Sequence, residues 1–136
     1  MNRTTKTACG LTIALMFALF ADGAQQPPAQ PGFKRIPVQQ GDLSVPGREA
    51  VQAIAEFQPG AESGRHTHPG DEFGYVLEGT ITVEIQGKPA MMKKAGEGFI
   101  IPAGTVHNGK NTSKAVAKVF GTYIIEKGKP VASPAQ

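Results

Sequence analysis

Cysteine is almost missing from this chain: Cys9 is the only one, and it lies in the first 24 residues. A disulfide framework is therefore excluded, and so is a thiolate metal site. Clustered basic charge is missing as well. Apart from Lys93-Lys94 the basic residues are scattered, and 14 of them against 11 acidic residues leave a net charge of only +3. That pattern gives no electrostatic footprint for nucleic acid or an anionic membrane surface. The apolar run Ala8 to Ala21 (ACGLTIALMFALFA) has 14 residues, well short of the roughly 20 that a membrane-spanning helix needs. No stretch beyond it has convincing helical periodicity. Histidine is scarce too, with three in 136 residues: His66, His68 and His107.

What is present at the start resembles a removable address. Arg3 and Lys6 form a positive region, the apolar run follows, and Ala21-Asp22-Gly23 offers small residues for a signal peptidase. Residues 1–24 are read as a signal peptide, cut after Gly23 or Ala24, so the expected location is the periplasm or the exterior. Its removal leaves 12 basic and 10 acidic side chains, no thiol and no stable membrane insertion. Residues 25–34 (QQPPAQPGFK), with three prolines, are expected to be a flexible leader, and 128–136 (GKPVASPAQ) a flexible tail. Between them, 35–127 is one domain of a size that buries a real core.

Within it, short runs with two-residue alternation are separated by Gly and Pro. Thr80–Gln86 alternates cleanly, with Ile81, Val83 and Ile85 on one face. Ala115–Glu126 is the longest strand candidate, with Ala117, Val119, Gly121, Tyr123 and Ile125 on its apolar face. Ala50–Phe57, Phe73–Leu77, Ala90–Lys94 and Phe99–Ile101 are further candidates. Many short strands joined by Gly/Pro turns predict an all-β sandwich or barrel.

The chemistry concentrates in Gly60–Gly79, GAESGRHTHPGDEFGYVLEG. His66 and His68, two residues apart, project from one face of an extended strand. After the turn Pro69-Gly70-Asp71 comes Glu72. Two imidazoles and a carboxylate suit one divalent Fe, Mn, Ni, Cu or Zn. A second stretch, GEGFIIPAGTVHNGKN from Gly96, has Pro and Gly spaced for a type I turn over Ile101–Gly104. The turn is expected to reverse Phe99–Ile101 into a returning strand that carries His107.

Together these stretches resemble the two motifs of the cupin superfamily. Gly60, His66, His68, Glu72 and Gly79 match G-x5-HxH-x3-E-x6-G, and Gly96, Pro102, Gly104, His107 and Asn111 match G-x5-PxG-x2-H-x3-N. The 16 residues between them resemble the spacing of small single-domain members. The resemblance implies a double-stranded β-helix, or jelly-roll barrel, and a metal held by His66, His68, Glu72 and His107. Strand alternation puts Asp71 and Glu72 on opposite faces, and the spacing favours Glu72.

Four protein ligands on an octahedral ion leave two positions for a small-molecule substrate, alone or beside oxygen. The resemblance covers dioxygenases, decarboxylases, lyases, isomerases and non-catalytic binders. A mononuclear metal-dependent enzyme of dioxygenase type is the first expectation. A non-catalytic periplasmic cupin that binds a small ligand or metal, or one with a structural metal and a partner-binding face, is the alternative. Glu72, Tyr75 and Tyr123 are the candidate catalytic groups, with Glu84 and Glu97 as further acid/base groups. If Glu72 faces inward, Phe73, Tyr75 and Leu77 face out, an apolar surface that a second copy could cover in a homodimer.

Overall fold

The computed structural model describes residues 30–136, so the signal-peptide reading and the first five leader residues lie outside the described residues. Among the described residues there are ten strands: β1 (Phe33–Asp42), β2 (Arg48–Phe57), β3 (His66–Thr67), β4 (Gly70–Glu78), β5 (Thr80–Ile85), β6 (Met91–Lys94), β7 (Gly98–Ile101), β8 (His107–Lys110), β9 (Ala117–Glu126) and β10 (Ser133–Pro134). They form two five-stranded antiparallel sheets, ordered β1-β2-β9-β4-β7 and β10-β3-β8-β5-β6. This is the double-stranded β-helix that the motif resemblance implies. The first sheet is called the long sheet below and the second the short sheet.

Alternation decides which side of each strand is buried. On β5, Ile81, Val83 and Ile85 point into the sandwich, and on β9 so do Ala117, Val119, Gly121, Tyr123 and Ile125. With Ala55, Phe57, Val76 and Ile101 these form the core between the sheets. Burying each of the larger aliphatic side chains contributes about 2 kcal/mol.

Three features differ from the sequence reading. β1 begins at Phe33, inside the stretch read as leader, and is an edge strand exposed along most of its length. Pro37 and a register shift between Pro37 and Gln39 explain why it lacks a clean alternation signal. Residues 128–136, read as a flexible tail, run back across the barrel. Ser133 and Pro134 pair with Thr67 and His66, and Ala132 is buried. Three small or apolar residues in a row gave no strand pattern, because this segment is held by what it covers.

The third difference is the turn before His107. Thr105 N donates to Pro102 O at 3.2 Å, and Gly104 has φ +70°. The turn is thus Pro102–Thr105 with glycine third, the positive φ that a type II turn needs. Gly104 N is spent elsewhere, on His68 O at 2.9 Å. β7 and β8 do not pair; the turn carries the chain from the long sheet to the short one. Likewise Pro69 carries it from β3 in the short sheet to β4 in the long sheet.

Candidate metal centre

These two crossings bring the predicted ligands together between the sheets. On the short sheet His66 pairs directly with His107. On the long sheet Glu72 pairs directly with Tyr123. His68 sits in the connection from one to the other. One ring nitrogen from each histidine lies within 4.8 Å of those of the other two, and all three residues are buried. Glu72 Oε2 lies 3.1 Å from both His68 Nε2 and His107 Nε2.

Each imidazole is held from behind by a backbone carbonyl. His66 Nδ1 donates to Gly64 O at 2.7 Å, His107 Nδ1 to Thr105 O at 2.9 Å, and His68 Nδ1 to Val131 O at 2.5 Å. A carbonyl only accepts, so each Nδ1 carries a proton and Nε2 is the ring atom turned inward, the one left to bind a metal. This is the arrangement that orients metal-bound histidines. A carboxylate oxygen 3.1 Å from two such nitrogens needs a positive charge shared among them, a proton or a metal ion. His68 Nε2 and Glu72 Oε2 are accordingly buried with no hydrogen bond of acceptable geometry. The donor set fits a divalent metal, with His66, His68, His107 and Glu72 as the groups that would hold it.

Burial pushes the Glu72 carboxyl up, but His107 and His68 outweigh it and hold the group well below the usual carboxylate range. Burial, with the neighbouring His107, lowers His66 to about 3. Burial and the Glu72 charge push the Tyr123 hydroxyl above its ordinary value, so it stays protonated.

Asp71, the alternative ligand, is exposed and accepts Ala103 N at 3.0 Å, tying β4 to the Pro102 turn. Of the candidate catalytic groups, Glu72 and Tyr123 line one cavity with His66 and His107. Tyr75 does not reach it; it is 49% exposed on the outer side of β4. Glu84 faces Asn108 and Lys110, and Glu97 accepts Lys94 N, both away from the cavity. Asn111, the last residue of the second motif, is fully buried. Its amide donates to Phe57 O, Gln58 O and Ala115 O, which anchors the end of β2 to the chain entering β9.

Two contributors went unpredicted. Val131 supplies the carbonyl behind His68, and Arg35 on β1 lines the cavity. The spacing of Phe33 and Arg35, two apart and so on one face, was the only available signal for the latter. Two glycines shape the walls. A Cβ on Gly121 would lie 2.6 Å from Tyr123 Oη, and one on Gly74 would lie 2.2 Å from the Phe99 ring.

Known proteins share these features. The family model described as Cupin domain matches residues 53–125. A 79-residue stretch is 33% identical to the HTH-type transcriptional regulator PuuR of Escherichia coli (strain K12), covering 57% of this chain and 42% of that protein. The chain spans 40% to 50% of the length of the curated relatives it matches. A double-stranded β-helix protein from Klebsiella pneumoniae superposes with a TM-score of 0.63 at 20% identity, over 81% of this chain and 90% of that one. An oxalate oxidase structure gives a TM-score of 0.55 at 25% identity, over 67% of this chain and 57% of its own.

Proposed function

Since the chain belongs to the cupin family, we propose that it is an exported, metal-dependent enzyme of dioxygenase type acting on a small organic substrate. One observation carries the metal: Glu72 Oε2 and the inward nitrogens of His68 and His107 converge at 3.1 Å with no hydrogen bond to explain it. A divalent transition metal held there would supply Lewis acidity and, for a redox-active ion, electron-transfer chemistry.

The chain's own groups have definable roles. Glu72 is ionised at neutral pH and can accept a proton from a substrate beside it. Tyr123, protonated and directly opposite on β9, can donate to an oxygen on which negative charge develops. Phe33, Phe57 and Phe99 wall the cavity and exclude water. Similarity to an oxalate oxidase supports an oxidative reaction on a small molecule. The apolar run at the N-terminus supports export, and Phe73, Tyr75, Leu77 and Ile100, all exposed on the outer face of the long sheet, support a homodimer.

A second reading is a ligand-binding module without turnover. It is favoured by the similarity to a transcriptional regulator and by the small number of acid/base groups in the cavity. Iron, manganese, nickel and copper forms, offered small phenols, diketones and flavonols, separate the two. Oxygen consumption that vanishes in His66→Ala and His107→Ala supports the enzyme. A ligand-induced melting shift without consumption supports the binder, and protein that takes up no metal sinks the enzyme.

A further inference from the structure

Arg35 has no role in the site as described so far, and its surroundings are unusual for a cation. Its guanidinium carbon lies 5.6 Å from the centre of the Phe33 ring and 5.8 Å from that of Tyr123. Two aromatic rings thus hold the group in place. Its Nε is buried without a hydrogen-bond partner, and among the described residues no carboxylate pairs with it. The nearby Glu49 is occupied, accepting Gln40 Nε2 at 2.7 Å and Gly128 N at 3.0 Å.

Arg35 also stands between two spaces. It lines the cavity that holds His66, Glu72, His107 and Tyr123, and a groove bounded by β1, β2 and residues 128–132. A half-buried guanidinium without a counter-ion is costly, and its planar fork matches a carboxylate through two parallel hydrogen bonds. A divalent ion at the histidines, together with Arg35, also exceeds the single Glu72 charge by two, so the cavity attracts anions. Its other walls are mostly apolar, and at about 30 Å³ it admits a group no larger than a carboxylate, whereas the groove on the other side of Arg35 has about 390 Å³.

We infer that Arg35 is the substrate-binding cation of this cavity and that its ligand is a small organic carboxylate with an apolar body. The carboxylate pairs with Arg35 at the cavity, and the apolar body lies in the adjoining groove against Val51, Ala53 and Ile125. This assignment rests on the metal-site reading above and adds the substrate class.

The test is calorimetric titration of the protein purified from expression of the full chain, both zinc-loaded and metal-free. The probes are benzoate and malonate, their neutral amides, and inorganic phosphate. Carboxylates are expected to bind wild type at least about 30-fold more tightly than the amides, the size of a charge-assisted hydrogen-bond pair. Arg35→Gln should weaken them by a similar factor while zinc content stays at that of wild type. Arg35→Lys should fall between, keeping the charge and losing the fork. Equal benzoate affinity in wild type and Arg35→Gln overturns the assignment, as do amides matching acids or phosphate matching benzoate. If Arg35→Gln does not fold, Arg35→Lys decides, and wild-type affinity there overturns it. Wild type that binds no zinc but still shows Arg35-dependent benzoate binding sinks the metal reading alone.

Discussion

The two sheets furnish the site with different chemistry. The short sheet and its connection supply three imidazoles, each pinned through Nδ1 to a backbone carbonyl. The long sheet supplies Glu72, Tyr123 and Arg35, an acid, a phenol and a cation, none pinned in that way. One half holds the nitrogen donors in place; the other sets the charge and the exchangeable protons around them. Similar proteins can therefore share the first half and differ in reaction.

That division can be broken at its strongest point first. His107→Ala removes a ligand from the histidine half. It should lower metal affinity by more than the about 10–100-fold that loss of an outer partner costs, read as metal content after dialysis against a chelator. Tyr123→Phe should leave metal content unchanged and depress turnover.

Acid should strike the histidine half before the carboxylate. The fold favours neutral His66 and lowers its pKa to about 3, whereas the unfolded chain titrates near the ordinary 6.5. Between those values the unfolded chain binds more protons, so stability is complete above about pH 6.5. It falls toward pH 3 by up to about 1.4 kcal/mol per pH unit. Glu72 keeps its charge across that window. Urea midpoints of metal-free protein at pH 7, 5.5 and 4 should decline in that order, and a flat series contradicts the buried neutral histidine.

Deleting residues 130–136 sharpens the contrast within the histidine half, because only His68 takes its carbonyl from a distant segment. Metal affinity should fall about 10–100-fold, measured by competition with a chromophoric chelator well below the melting temperature. Gly121→Ala probes the other half. Its Cβ would meet Tyr123 Oη at 2.6 Å, so overpacking should cost about 1–3 kcal/mol and lower turnover while metal binding persists. The smallest effect belongs to Tyr75→Phe, on the outer side of β4, which should change neither metal content nor turnover.

How much of this was legible depended on sequence distance. The HxH pair, Glu72 and His107 could be read because each lies beside a turn with its own Gly/Pro signature, and alternation together with the motif spacing separated Glu72 from Asp71. The inward faces of β5 and β9 could be read because both are long, regular strands. The same local reading placed the Pro102 turn one residue early and joined β7 to β8, since a turn's residues do not say which sheet the next strand enters.

By itself, then, the sequence determined the all-β class and singled out the candidate ligands, because alternation, turn chemistry and motif spacing are local properties. Only the tertiary structure decided that His66 faces His107 and Glu72 faces Tyr123, that Val131 holds His68, and that Arg35 stands unpaired beside them. Each of those relations joins segments tens of residues apart, and packing between two sheets is what brings them within reach.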